Sequence, residues 1–256
     1  MLKIHHIRNA SMIIEVDNLV LLVDPLLAKK GEMPSYTEKS FNPQRNPIVD
    51  LPQNTPNLLQ KVTDCIITHL HSDHLDVTAK EFLIKNKIPT FCSINDEKVL
   101  AAKGLNIYKT IEYWKNSALN GFSIEGIPAT HGYGKVAKLM GNVMGFFIKF
   151  RSKSIYLSSD TIYTPEVEKV LKAYKPDIAV VACGTARLDE HEPILMTLND
   201  IIKFVNSSPE EVIANHMEAV NHCTTTRAML KKELINRNSL TKVWIPEDGE
   251  TKIYED

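Results

Sequence analysis

The segment His69-Leu70-His71-Ser72-Asp73-His74 directly follows the apolar run Cys65-Ile66-Ile67, so four metal-ligating side chains stand on the turn that leaves a buried strand. A strand end followed by a tight loop projects its side chains into a cleft. Three imidazoles and a carboxylate packed this closely are hard to satisfy without a cation. The chain therefore needs a sheet whose strand ends converge on a polar cleft, and the chemistry implied is hydrolysis at a zinc-type centre.

With 256 residues, a formal net charge of -1 and 43% hydrophobic residues, the chain can bury an ample core, and one domain over 1–256 is expected. Near-neutral charge argues against a protein that holds nucleic acid through its phosphates. The expected partner is a small molecule, with an anionic group on it left open, as is assembly into a homo-oligomer. The start, Met1-Leu2-Lys3-Ile4-His5-His6, carries no long apolar stretch, and no segment approaches the roughly twenty apolar residues that span a bilayer. No membrane partner and a cytoplasmic location are expected. Cys65, Cys92, Cys183 and Cys223 are widely spaced and form no C-x-x-C pair, so neither a disulfide framework nor a separate zinc site is expected.

Apolar runs predict strands over 2–6, 11–16, 19–24, 64–69, 89–92, 121–127, 144–150, 154–158, 177–182, 211–215 and 242–245. Helical spacing falls over 76–86, 94–103, 164–173, 197–206 and 224–236, with Asp76, Thr164 and Thr224 as N-caps and Pro165 at a first helical position. Two mixed sheets packed face to face with helices outside satisfy this order. Residues 25–60 differ: Pro25, Pro34, Pro43, Pro47, Pro52 and Pro56 break any regular element, which predicts a long excursion of functional kind. The runs Asp64-Cys65-Ile66-Ile67-Thr68-His69 and Glu211-Val212-Ile213-Ala214-Asn215-His216 share an acidic start, an apolar strand and a terminal His. Two such units can face each other across a pseudo-twofold site, although strands often begin and end alike.

Further candidate ligands come at or just past other predicted strands: His131 after 122–127, Asp160 after 155–159 and His216 after 212–215. Seven ligands suffice for two ions. His69, His71 and His131 can hold one, Asp73, His74 and His216 the other, with Asp160 bridging. Two ions roughly 3.5–4 Å apart share a hydroxide available at neutral pH.

With this H-x-H-x-D-H segment the chain resembles the metallo-β-lactamase superfamily over essentially its whole length. Within it the chain is most similar to the branch of the L-ascorbate-6-phosphate lactonases and their relatives. Four stretches carry that likeness: Val23-Asp24-Pro25, His74-Leu75-Asp76, Gly145-Phe146-Phe147-Ile148 leading to Tyr156-Leu157-Ser158-Ser159-Asp160-Thr161, and His216 with the residues after it. The resemblance implies an α/β fold, a four-layer αββα sandwich with metals at one edge. It implies His69, His71, Asp73, His74, His131, Asp160 and His216 as ligands of two divalent ions, zinc first with manganese or iron as alternatives. Asp24 is implied as a support behind the metal loop. Arg8-Asn9-Ala10-Ser11 stands where many relatives have a Gly-His pair; Leu75-Asp76 replaces the glycines of glyoxalase II-like members; and His71 replaces the carboxylate of flavodiiron oxygen reductases.

For other histidines the structural role is the simpler expectation: His5, His6 and His191 are left out of the metal site. His222 stands between an acid or substrate contact and packing beside Cys223. Lys149, Arg151 and Lys153 alternate as the solvated face of a strand, and with Lys135 and Lys138 they are not assigned to phosphate. Arg8, Lys29, Lys30 and Arg45 are candidates for meeting an anionic substrate group. Met140, Met144, Phe146 and Phe147 are expected to build core. The expected reaction is attack of a metal-bound hydroxide on a small lactone or ester, phosphorylated or not. Asp73 orients the nucleophile, and Tyr133 or His222 donates to the leaving group. A phosphodiesterase or nuclease of the same superfamily is the second expectation and a non-catalytic metal-binding protein the third, with β-lactam hydrolysis last.

Overall fold

The computed structural model describes residues 1–119, 121–151 and 153–255. Its strands are β1 (Leu2–Arg8), β2 (Ser11–Val16), β3 (Leu19–Val23), β4 (Asp64–Ile66), β5 (Thr90–Ser93), β6 (Ile107–Ile111), β7 (Asn116–Ala118), β8 (Ser123–Pro128), β9 (Met144–Lys149), β10 (Ser154–Leu157), β11 (Ile178–Ala182), β12 (Glu211–Asn215), β13 (Val243–Trp244) and β14 (Thr251–Tyr254). The α-helices are α1 (Thr55–Leu59), α2 (Val77–Lys85), α3 (Glu97–Ala102), α4 (Pro165–Lys169), α5 (Leu198–Ser207) and α6 (Arg227–Asn236). Two seven-stranded mixed sheets result, in the orders β14-β1-β2-β3-β4-β5-β6 and β13-β12-β11-β10-β9-β8-β7.

Period-two alternation decides how the sheets stack. Ile4, Met12, Ile14, Leu21 and Val23 of the first sheet meet Ile148, Ile155, Leu157, Val180 and Ile213 of the second in one core. The intervening residues are apolar too, because helices cover the outer faces. Ile13, Leu22 and Cys65 pack with Ala79 and Leu83 of α2 and Leu100 of α3, while Ala179, Val181 and Val212 pack with Val167, Ile201, Phe204 and Leu230 of α4, α5 and α6. The architecture is the expected four-layer αββα sandwich.

Local chemistry sets the helix starts. Asp76 and Thr164 cap α2 and α4 by accepting from the amides of Ala79 and Val167, and Pro165 occupies the first turn as expected. The cap of α6 is Thr226, which accepts from the Met229 amide, rather than Thr224, whose hydroxyl is 2.8 Å from that of Thr185. Other expectations need correcting. The excursion 25–60 contains α1, which Pro56 starts rather than breaks. Strand β4 stops at Ile66, and Arg151 lies in the turn after β9 rather than on its face. Strands β6, β7 and β14 fall outside the predicted set. Among the described residues no helix is long and apolar enough to cross a membrane.

Strands β3, β4, β8, β10, β11 and β12 run so that their carboxyl ends reach the same rim, since β3 and β4 are parallel, as are β10, β11 and β12, and β8 runs the same way as β10 because both are antiparallel to β9. Ligands collect at that end of an α/β sheet because the loops leaving it converge there.

Candidate metal centre

Each candidate ligand stands just past a strand of that rim: His69 to His74 after β4, His131 after β8, Asp160 after β10 and His216 after β12. Their ligand atoms form three groups, His69 with His71 and His131, His69 with His74 and Asp160, and Asp73 with His74 and His216, all atoms of a group lying within 4.8 Å of one another. Asp160 Oδ2 sits between them, 3.3 Å from His74 Nε2 and 3.4 Å from the Nε2 atoms of His131 and His216. Asp73 Oδ2 is 3.3 Å from His216 Nε2. All seven side chains named from the sequence thus meet in one cluster.

The loops hold these side chains with their other atoms. Asp24, just past β3, accepts from the Thr68 amide at 2.8 Å and from the Thr68 hydroxyl at 2.7 Å, and lies 2.9 Å from His74 Nδ1. His131 Nδ1 donates to the Ile194 carbonyl at 2.8 Å, and His216 Nδ1 lies 3.3 Å from Cys223 Sγ. Engaging Nδ1 in this way aims Nε2 into the cleft. Asn9, Asp24, Ser159 and His216 all have positive φ, between 44° and 59°, a conformation unfavourable for non-glycine residues that gathers at functional sites. At His216 the backbone is fixed by its amide, which donates to the Asn9 carbonyl at 2.8 Å, and by Gly184, where a Cβ would come within 2.2 Å of the His216 carbonyl oxygen.

Electrostatics divide the cluster. Burial pulls His74 down, but Asp160 and Asp24 outweigh it and raise the imidazole to about 10. The same opposition, with Asp160 as the main attraction, raises His216. Burial dominates at His69, and at His131 and His222 it lowers the imidazoles to about 4. Burial opposes ionisation of Asp73 and Asp160, yet the surrounding imidazoles hold both well below the usual carboxylate range.

A divalent cation fits this donor set. His69 Nε2 and Asp160 Oδ1 are buried without a protein hydrogen-bond partner, although both lie in the cluster. Each orphaned group would otherwise cost about 1–3 kcal/mol. Imidazole nitrogen and carboxylate oxygen are the ligands of first-row divalent metals.

Beside the cluster a cavity of about 170 Å³ is lined by Tyr36, His71, Ser72, Asp73, His131, Met140, Asp160, Leu188, Ile194 and His222. His222 therefore faces the cleft, and Met140, packed as expected against the core cluster of Val136, Ala182, Ala186, Ile194 and Leu195, also contributes to the cavity wall. Tyr133 is absent from this lining, and its hydroxyl donates to Asp200. Arg8 is fully buried away from the cavity, where it donates to the carbonyls of Leu26, Ala28 and Val49 and pins the start of the excursion. Arg45 is spent on the Gly31 and Glu32 carbonyls, and Lys29 and Lys30 are exposed outside the lining. His5 and His6, on opposite faces of β1, pair with Glu15 and Asp248, and His191 is exposed. Tyr36, Thr68, Gly184 and the Asn9 amide, which donates to the Asp73 carbonyl at 3.1 Å, carry no motif of their own. For Gly184 the only sign is a glycine directly after an apolar strand.

The fold is shared with known proteins. A family profile described as "Beta-lactamase superfamily domain" matches residues 21–217. UPF0173 protein YddR of Bacillus subtilis (strain 168) is 33% identical over 99% of this chain and 100% of its own length. Among solved structures, a possible metal-dependent hydrolase from Veillonella parvula superposes with a TM-score of 0.90 at 33% identity, over 98% of this chain and 99% of that one. An isothiocyanate hydrolase from Delia radicum gut bacteria superposes with a TM-score of 0.89 at 29% identity, again over 98% and 99%.

Proposed function

Because the chain belongs to the β-lactamase superfamily, and within it to the UPF0173 metal-dependent hydrolases, we propose that it hydrolyses a small uncharged lactone or carboxylic ester with two divalent ions, zinc first. His69, His71 and His131 would hold one ion, Asp73, His74 and His216 the other, and Asp160 both. One observation carries the substrate class. The cavity beside the donors is walled by Tyr36, Met140, Leu188 and Ile194, and among the described residues no lysine or arginine lines it. Its volume of about 170 Å³ falls below the roughly 300–1,000 Å³ of drug-sized sites. Recognition of a phosphate group calls for charge-assisted donors. With Arg8 and Arg45 engaged by backbone carbonyls, the phosphorylated form of the substrate loses its support.

Held by this set, divalent ions would bring water to ionisation near neutral pH and polarise the substrate oxygen. Asp73, kept ionised by the imidazoles around it, orients the attacking water and accepts its proton. His222 is kept neutral by burial, and its Nδ1 has no protein partner, so it can hydrogen-bond the leaving oxygen while Asp73 returns to that oxygen the proton taken from the water. Asp24 and Thr68 hold the imidazoles in place. An isothiocyanate is the second substrate class. It is supported by the similarity to the Delia radicum gut bacterial enzyme, and it too is a small neutral molecule with an electrophilic carbon.

The test is to load the purified protein with zinc, manganese or iron(II) and assay γ-butyrolactone, 4-nitrophenyl acetate, phenylethyl isothiocyanate and bis(4-nitrophenyl) phosphate. Turnover of the lactone or ester that Asp160→Asn abolishes is the expected result. Turnover of the phosphate diester alone would put a phosphodiesterase first. Metal-loaded protein inactive on all four would favour a non-catalytic metal-binding role.

A further inference from the structure

The excursion 25–60 brings one aromatic side chain to the cavity wall, and two separate clasps hold it there. The Tyr36 hydroxyl is 2.8 Å from Ser72 Oγ in the ligand segment, and its ring stands edge-on to His222 with centroids 5.0 Å apart. The first clasp is buried Asn221, next to His222. Its Oδ1 accepts from the Tyr36 amide at 3.0 Å and from Asn46 Nδ2 at 2.9 Å, while its Nδ2 donates to Ser35 Oγ at 2.9 Å and Thr37 Oγ1 at 2.7 Å. The second is Asp189, next to the cavity residue Leu188. Its carboxylate accepts from the backbone amides of Glu38 at 3.2 Å, Lys39 at 3.0 Å and Ser40 at 3.0 Å.

Every residue from 35 to 40 is thereby tied to a segment that itself lines the cavity. Loops of this kind open readily unless their backbone is hydrogen-bonded. The exposed Lys39–Glu190 pair at 3.4 Å adds little, so the two clasps carry the order. Because Ser72 already partners the phenol oxygen, the ring is what Tyr36 presents to an incoming molecule. Together with the Met140 thioether, Leu188 and Ile194 it makes a wall for a flat apolar group, the kind of surface on which aromatic rings pack.

We propose that Tyr36 is a specificity-determining residue that receives the apolar, preferably aryl, substituent of the substrate, and that Asp189 is the positioning residue that keeps it over the cavity. The proposal rests on the reading that the cavity admits an uncharged substrate. The experiment therefore has a binding readout as well as a kinetic one. Metal-loaded full-length wild type, Tyr36→Phe, Tyr36→Leu, Tyr36→Ala, Asp189→Asn and Asp189→Ala are compared for KM and kcat on methyl acetate, which has no ring, and methyl phenylacetate, which has one. Calorimetry measures the Kd of 2-phenylacetamide, which is uncharged and resists hydrolysis.

Tyr36→Ala is expected to raise the Kd, and the KM for the phenylacetate ester, about tenfold, with kcat within about twofold and the acetate ester little changed. Tyr36→Phe should stay near wild type, with Tyr36→Leu between them. Asp189→Ala should move the same quantities about threefold, and Asp189→Asn, whose amide oxygen still accepts, should recover part of the loss. If wild type cleaves neither ester but binds the amide in a Tyr36-dependent way, the site assignment stands while the proposed reaction falls. Unchanged Kd in Tyr36→Ala and Tyr36→Leu, or no binding of the amide by wild type, would overturn the assignment.

Discussion

The two sheets deliver ligands to one cleft but support them by different means. On the side of β4 the support is a buried carboxylate: Asp24 is 2% exposed and engages Thr68 twice and His74 once. On the side of β12 the supports at the Nδ1 atoms of the imidazoles are neutral, the Ile194 carbonyl behind His131 and the Cys223 thiol near His216. Charge on that side stands farther out. Arg227 donates to Glu218 Oε2 at 2.6 Å, two residues after His216, and to Asp248, which lies 3.4 Å from His6. A carboxylate behind an imidazole strengthens it as a ligand, whereas a carbonyl or thiol mainly fixes its orientation. The first half should therefore govern metal affinity, and the second should govern geometry and stability.

The largest effect that can break this contrast is at Asp24. Asp24→Asn should weaken metal binding about 10–100-fold, measured by competition with a chelator, because the anionic support of His74 and Thr68 is lost. An affinity within about twofold of wild type would show that the two halves are supported alike. Next comes Gly184→Ala, whose Cβ would collide with the His216 carbonyl and with Cys223 Sγ, 2.5 Å from the ideal position. It should cost about 1–3 kcal/mol in denaturant unfolding, with the His216 loop displaced.

Arg227→Ala should cost about 1–2 kcal/mol while leaving metal affinity nearly unchanged. Its pH dependence is set by Asp248. Burial raises that carboxyl, but His6 and Arg227 outweigh it and hold the pKa below 3.8. The contribution of Asp248 is thus complete above the unfolded value and is lost as pH falls through the lower folded one. Without Arg227 that loss should be smaller, so unfolding profiles of variant and wild type should converge in acid below pH about 4. The smallest effect is expected for Cys223→Ser. Its hydroxyl can still accept from His216 Nδ1, and metal affinity should change by about threefold or less, with Cys223→Ala somewhat worse.

The clustering of the seven candidate ligands was legible in the sequence because each follows an apolar strand, and parallel strands deliver their carboxyl ends to one rim. Both central runs, Cys65-Ile66-Ile67 and Val212-Ile213-Ala214, read as strands since they are buried on both faces. Among the described residues, strand β14, Thr251-Lys252-Ile253-Tyr254, pairs only with β1 at a sheet edge and is half exposed, so its alternation is weak. Strand β7, Asn116-Ser117-Ala118, pairs with β8 at a sheet edge and contains no large apolar residue. The roles of Arg8 and Tyr36 depend on where the excursion 25–60 returns, which loop composition does not encode. A charged residue beside a family motif suggested an anion contact, but three backbone carbonyls of that excursion claim it. Asn221 and Asp189, which hold Tyr36, lie more than 140 residues along the chain from the amides they bind.

Elemental analysis of the purified protein, with His71→Ala and Asp160→Asn alongside, tests the shared site most directly. Wild type should carry about two equivalents of divalent metal per chain, His71→Ala about one, and Asp160→Asn little, since its carboxylate lies between both groups of ligands. The same trace of metal in wild type and both variants would contradict a two-ion centre built from these seven side chains.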